Sequence, residues 1–140
     1  MADANILIAA FLRDSTVRRI VTLSGVGLLV PEYAFEELRE HLPELRARVR
    51  LRSRDAEQLL RRLAGYFTVV PADLVAARLP EAEEVMADID PRDAPYLAAA
   101  LATPCHGIWS DDPHLRRQTA IRCWTTSELL GELRRAGLRF

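Results

Sequence analysis

Residues 25–38 read Gly-Val-Gly-Leu-Leu-Val-Pro-Glu-Tyr-Ala-Phe-Glu-Glu-Leu, and this stretch sets the fold class. The two glycines predict a turn, and the apolar residues 28–30 predict a short buried strand. Pro31 then opens a helix, which we place at about residues 32–45. The rest of the chain repeats this alternation of short apolar runs and longer helical patterns. Such alternation is typical of a parallel sheet covered by helices, so we predict an α/β fold.

The same reasoning extends along the chain in both directions. We predict further strands at residues 1–3, 66–70, 107–109 and 121–124, and helices at residues 5–12, 16–23, 53–64, 71–79, 80–87, 90–102, 127–135 and from 112 onward. Asp14 and Ser15 are predicted to break and cap the first two helices, and Pro80 to begin a separate helix. Because the sequence contains no repeat or linker, we predict one domain over residues 1–140.

Composition excludes several classes of protein. The chain has 140 residues, of which 49% are hydrophobic and 28% charged, values ordinary for a globular domain. Its formal net charge of −1 means that nucleic-acid binding would need a local basic face. Cys105 and Cys123 lack the spacing of a zinc finger. The start does not resemble a signal peptide, and no apolar run approaches the ~20 residues of a membrane helix, so we expect a cytoplasmic protein without membrane contact.

Four acidic residues border the predicted core segments, namely Asp3, Glu37, Asp93 and Asp112. Two of them follow strands, and the other two lie in the first turns of helices. Because the carboxyl ends of parallel strands meet at one edge of a sheet, these side chains can converge there. Converging carboxylates repel one another, and a hard cation such as Mg²⁺ or Mn²⁺ removes that cost. We therefore predict a divalent metal site at this edge.

The order of these motifs resembles the PIN-domain family of metal-dependent nucleases over nearly the whole chain. The resemblance is carried by Asp3-Ala4-Asn5, Glu37-Leu38, Asp93-Ala94 with the alanines 98–100, and Ser110-Asp111-Asp112. The run Asp-Pro-Arg-Asp-Ala-Pro-Tyr, followed by Ile-Trp-Ser-Asp-Asp, is similar to a prokaryotic stand-alone branch near the VapC-type toxins. One departure from the family is that two residues precede Asp3, where a longer strand is usual.

The resemblance implies a three-layer α/β/α sandwich with a central parallel sheet, and hydrolysis of RNA phosphodiester bonds. It also implies that Asp3, Glu37, Asp93 and Asp112 bind Mg²⁺ or Mn²⁺. Asn5 and Ser110 would orient carboxylates or a substrate phosphate. These six residues are the predicted catalytic set.

Some positions leave alternatives open. Glu36 competes with Glu37 for the same role, although adjacent helical residues point about 100° apart. Asp111 competes with Asp112. Asp90 is interpreted as the cap of the helix that Asp93 enters. For Ser110 the structural alternative is a helix cap.

Partners are predicted from the resemblance and from surface patterns. Single-stranded RNA is the expected substrate, and a toxin would be held by an antitoxin protein. Leu59, Leu60 and Leu63 form one apolar stripe, which suggests a homodimer. Arginines that could contact phosphates follow the acidic segments, namely Arg13, Arg18, Arg19, Arg116 and Arg117. A structure-specific DNA nuclease and a catalytically weak binding module are the alternative functions.

Overall fold

A computed structural model describes residues 1–12 and 15–139. The predicted break at Asp14 and the predicted phosphate contact of Arg13 lie outside these residues. The helices are α1 (Ala4–Phe11), α2 (Ser15–Leu23), α3 (Glu32–Val49), α4 (Ser53–Ala64), α5 (Ala72–Met86), α6 (Ala94–Ala102) and α7 (Thr126–Arg135). The strands are β1 (Leu28–Pro31), β2 (Phe67–Val70), β3 (Ile108–Trp109) and β4 (Cys123–Trp124), and two 3₁₀ turns lie at Pro91–Asp93 and Leu115–Arg117.

The start of the chain joins two pairs of parallel strands. β1 pairs with β2, Leu28 opposite Phe67, and β3 pairs with β4. Between the pairs, Ala2 forms a parallel bridge with Trp109, and its N–H donates to the carbonyl of Leu29 at 2.8 Å. The parallel order is therefore β2, β1, Ala2, β3, β4. This arrangement confirms the predicted α/β class, and the predicted first strand is a bridge of minimal length.

Helices pack around these strands in two groups. α6 contacts β1 and β3, and α5 packs along α6. In the other group α1 contacts α2, α3 and α4, while α7 contacts α2 and β4. The central side chains of α1 and α6, such as Leu7 and Leu97, are fully buried. In the described residues no helix is long and apolar enough to cross a membrane.

The prediction for Pro80 is wrong, because Pro80 does not begin a new helix but lies inside α5. The end predicted for α3, at about residue 45, is also too early, because the helix continues to Val49. Val75, Ala82 and Met86 of α5 are buried on both sides of Pro80. Packing of that continuous apolar face outweighs the roughly 3 kcal/mol that an interior proline costs.

The predicted short helix at Asp112 is also wrong. The alternating arginines at positions 46, 48, 50, 52 and 54 predict a solvated charged loop, but only residues 50–52 lie between the two helices. Asp112 lies in a turn, and the 3₁₀ turn begins at Leu115. Pro113 disfavours helical geometry at the residue before it, which explains the later start. Arg46 and Arg48 lie in the last turn of α3, and Arg54 lies in α4. Strand ends differ from the predicted ones by one or two residues.

Candidate metal site at the carboxyl edge of the sheet

Asp3 is buried at the point where the first chain segment leaves the sheet. It caps α1, since its Oδ1 accepts a hydrogen bond from the N–H of Ile6 at 3.0 Å. Its Oδ2 accepts a hydrogen bond from the hydroxyl of Ser110. Only 2% of the residue is exposed, and this burial raises the pKa of its carboxyl to about 6. Asp3 is therefore a buried residue and not a surface residue at the chain terminus.

Ser110 connects Asp3 to the loop after β3. While its hydroxyl donates to Asp3, its Oγ accepts the N–H of Asp112 at 3.0 Å. Asp112 is half-buried, and its Oδ1 accepts the N–H of His114 at 2.8 Å. The fully buried hydroxyl of Ser110 thus joins the carboxylate of Asp3 to the backbone of Asp112. The hydroxyl is not a helix cap, since it donates to the carboxylate of Asp3, and its orienting role in a metal site stays a prediction.

Asp93 faces the same cluster from the start of α6. It is the N-cap residue of that helix but makes no capping hydrogen bond with its side chain. Its Oδ2 is fully buried and has no hydrogen-bond partner among the described residues. Burial raises the pKa of this carboxyl to about 7, and the charges of Asp112, Asp90 and Asp3 contribute to the same rise. The aspartates at 3, 93 and 112 thus lie within one electrostatic neighbourhood.

Glu37 is attached to this cluster through two tyrosines. The hydroxyl of Tyr96, on α6, donates to Oε2 of Glu37 at 2.9 Å. Tyr33 donates to the same carboxylate, and this bond raises the pKa of Tyr33 to about 12. Burial, together with the charges of Glu37 and Asp3, also raises the pKa of Tyr96, so both tyrosines remain neutral donors. Glu36 is exposed, so the geometry favours Glu37 over Glu36.

Two further residues complete the cluster. Nδ1 of His114 lies 3.2 Å from Oδ2 of Asp90 and 3.5 Å from Oδ1 of Asp112. One ligand atom each from Asp90, Asp93 and His114 lies within 4.8 Å of the others. Asp90 also performs its predicted capping role, since its Oδ1 accepts the N–H of Arg92 at 3.1 Å.

Sequence reasoning missed His114 and the two tyrosines. A partial signal exists for Tyr96, because residues three apart, such as 93 and 96, share a helix face. A signal for His114 exists in the run Asp112-Pro113-His114, where the aspartate can turn the chain back on itself. Neither signal identifies the distant residues Glu37 and Asp90 that these side chains contact.

Some predicted residues lie apart from the cluster. Asn5 is exposed in the first turn of α1. Asp111 is exposed and faces α7, where its carboxylate accepts the N–H of Thr126 at 2.7 Å and the hydroxyl of Thr126 at 2.5 Å. Asp112 is therefore better placed than Asp111 to bind a metal.

Two of the arginines predicted to contact phosphates have protein carbonyls or a carboxylate as partners in the structure. Arg18 donates to the carbonyls of Ala10 and Phe11 at the end of α1. Arg116 lies 3.8 Å from a carboxylate oxygen of Glu128. The guanidinium of Arg92 lies beside the acidic cluster, where it pairs with Asp90.

The donor set fits a divalent cation. A fully buried carboxylate oxygen without a partner is costly, and the mutual repulsion of the aspartates adds to that cost. Both costs fall when a cation binds among the carboxylates. Oxygen-rich sites of this kind suit hard divalent ions.

Comparison with known proteins identifies a family. A family model for the PIN domain matches residues 1–134, which is nearly the whole chain. No curated protein and no solved structure matches the chain.

Proposed function

The chain belongs to the PIN-domain family, and on this premise we propose that it is a metal-dependent endoribonuclease. The family suggests a nuclease, and the acidic cluster supplies groups that can hold a metal. The observation that carries the proposal is the buried, unpartnered Oδ2 of Asp93 among the carboxylates of Asp3 and Asp112. We propose Mg²⁺ or Mn²⁺ as the cofactor and single-stranded RNA as the substrate.

The side chains of the cluster would have different roles in such a reaction. When bound, a divalent cation supplies an acidified water and positive charge against the phosphate. Asp3, Asp93 and Asp112 would hold it, while the Ser110 hydroxyl fixes the carboxylate of Asp3 and the backbone of Asp112. Glu37, held by its two tyrosines, would bind the cation or orient the attacking water. No covalent nucleophile is needed for this chemistry.

A cleavage assay with a matched control tests the proposal. We expect Asp93→Asn to lower the rate of RNA cleavage more than about a hundredfold, because loss of mere supporting groups already costs ten to a hundredfold. Asp88→Asn makes the same change at an exposed position five residues earlier and should leave the rate unchanged. A chelator should stop cleavage by the unchanged protein. Cleavage by Asp93→Asn at the original rate would contradict the proposal.

RNA and DNA oligonucleotides of the same sequence separate the alternatives. Faster cleavage of single-stranded RNA supports the proposal, and equal or faster cleavage of DNA would favour the DNA nuclease. Binding of RNA without cleavage in Mg²⁺ or Mn²⁺ would favour the binding module.

A toxin role and a homodimer are further proposals. Growth inhibition on expression, relieved by Asp3→Asn and by a co-expressed antitoxin, would support the toxin role. Leu60 and Leu63, which suggested the dimer, are buried within the chain, where α4 packs against α1. The stripe therefore gives the dimer no support, and the family resemblance is its remaining basis. Light scattering at a mass near 15.8 kDa would show a monomer.

A further inference from the structure

His114 is held at the acidic cluster by its local backbone. Its N–H donates to Oδ1 of Asp112 at 2.8 Å, which closes a tight turn across Pro113. The next residue, Leu115, is fully buried and begins the 3₁₀ turn. The turn on one side and the buried leucine on the other fix the place where the imidazole leaves the backbone.

The imidazole lies among carboxylates on more than one side. Asp90 precedes the 3₁₀ turn before α6, and its Oδ2 is 3.2 Å from Nδ1 of His114. Asp112, after β3, has its Oδ1 3.5 Å from the same nitrogen. A ligand atom of Asp93 lies within 4.8 Å of ligand atoms of both His114 and Asp90. A nitrogen donor is therefore part of a site that otherwise offers oxygen.

We propose that His114 binds the divalent cation together with Asp90 and Asp93, and that this nitrogen ligand makes the site favour Mn²⁺ over Mg²⁺. The proposal rests on the proposed function, since it assigns the metal preference of the same site. Mg²⁺ prefers oxygen ligands and retains its waters, whereas imidazole suits transition ions. The extra ligand therefore adds affinity for Mn²⁺ and little for Mg²⁺.

Arg92 competes with the cation for Asp90. Its Nε lies 3.2 Å from Oδ1 and its Nη2 lies 3.2 Å from Oδ2 of that carboxylate. The Arg92 side chain is 84% exposed and can return to water, whereas the Asp90 side chain is 11% exposed and needs a partner, which the cation would supply. The guanidinium can thus leave Asp90 at small cost when a cation binds.

Direct metal binding tests the proposal without any measurement of cleavage. Mn²⁺ is titrated into the protein and its free form is followed by electron paramagnetic resonance, and Mg²⁺ is then added to displace it. His114→Ala should weaken Mn²⁺ binding about tenfold to a hundredfold, the range that loss of metal-site groups gives. Mg²⁺ binding should change much less, so the preference for Mn²⁺ falls. Spin-echo modulation from a bound nitrogen should be present in the unchanged protein and absent in His114→Ala.

The control is His41→Ala, which removes an exposed histidine from α3 beside Glu44. It should leave both affinities and the nitrogen signal unchanged. Circular dichroism should show the same fold in both variants, because the side chain of His114 is 48% exposed.

The outcomes separate this inference from the proposed function. If the protein binds Mn²⁺ and Asp93→Asn abolishes binding, while His114→Ala keeps the Mn²⁺ preference and the nitrogen signal, the inference is wrong and the proposed function stands. If the unchanged protein binds neither ion, both are wrong. Equal affinities for Mn²⁺ and Mg²⁺ in the unchanged protein would also overturn the inference.

Discussion

The two edges of the parallel sheet carry opposite chemistry, although the same strands form both. At the carboxyl edge, buried carboxylates face one another and their pKa values are raised. At the amino edge lies a cavity of about 590 Å³, lined mainly by apolar side chains that include Leu28, Trp124 and Leu133. Leu28 and Leu133 are buried at that edge, and apolar burial favours folding, whereas buried like charges at the other edge oppose it. We infer that the amino edge stabilises the fold, whereas the carboxyl edge lowers its stability until a cation binds there.

A change of pH should have the largest effect on stability, because it acts on the carboxylates of the carboxyl edge. The folded pKa values of Asp3 and Asp93, about 6 and 7, lie above the ordinary value of 3.8. Between pH 4 and 7 the folded chain therefore keeps protons that the unfolded chain has released, so stability falls as pH rises. A tenfold change in proton affinity is worth about 1.4 kcal/mol, and solvent screening reduces the effect at the half-buried Asp93. We expect the metal-free protein to melt at a lower temperature at pH 8 than at pH 5.

Two comparisons check the cause of this pH effect. Asp93→Asn should flatten the dependence and stabilise the metal-free protein at pH 8, whereas Asp88→Asn should not. Mn²⁺ added at pH 8 should restore stability to the unchanged protein, because it binds the ionised carboxylates. A melting temperature that rises from pH 5 to pH 8 without metal, equally in both variants, would remove the carboxyl edge as the destabilised region.

The opposite edge is tested by adding a methyl group. Gly107 has φ +136°, and a Cβ there would lie 2.5 Å from the carbonyl oxygen of Arg122 and 2.7 Å from Nε1 of Trp124. Backbone strain and overpacking each cost about 1–3 kcal/mol, so Gly107→Ala should lose at least about 2 kcal/mol of unfolding free energy. Gly27→Ala borders the same cavity, has nothing within 4 Å of its new Cβ, and should change stability little. Equal urea midpoints for the two variants would contradict this account.

Much of the site was accessible from sequence because chain topology determines it. The strand before Asp3 and the strand before Ser110 are parallel neighbours, so their carboxyl ends must meet. Helix geometry likewise separates Glu37 from Glu36. These arguments need residue spacing alone, and in the structure the charges of Asp3 and Asp112 act on Asp93. The catalytic role of the set stays a prediction.

The missed features depend on contacts between distant segments. The bond from Tyr96 to Glu37 joins residues 59 positions apart, and no local pattern encodes it. His114 belongs to no serine–histidine–aspartate pattern in the sequence, yet its neighbours in the structure are the carboxylates of Asp90 and Asp112. Pro80 was misjudged for a related reason, since the packing of α5 on α6 outweighs a local helix-breaking signal.

The smallest expected effect tests whether Glu37 belongs to the metal site at the carboxyl edge. Tyr96→Phe removes the hydroxyl that donates to Glu37 at 2.9 Å and leaves the buried ring in place. Tyr33 still donates to that carboxylate, so Glu37 loses one of two donors. If Glu37 supports the cation, the Mn²⁺ concentration that half-saturates RNA cleavage should rise about tenfold, the lower value for loss of a supporting group.

Tyr66→Phe is the matched control, because Tyr66 is exposed beside β2. It should leave the Mn²⁺ requirement unchanged. A purely structural role for the Tyr96 hydroxyl predicts a different result, in which the melting temperature falls while the Mn²⁺ requirement of the folded protein stays the same. That result would place Glu37 outside the metal site. It would reduce the functional set at the carboxyl edge to the aspartates, Ser110 and His114.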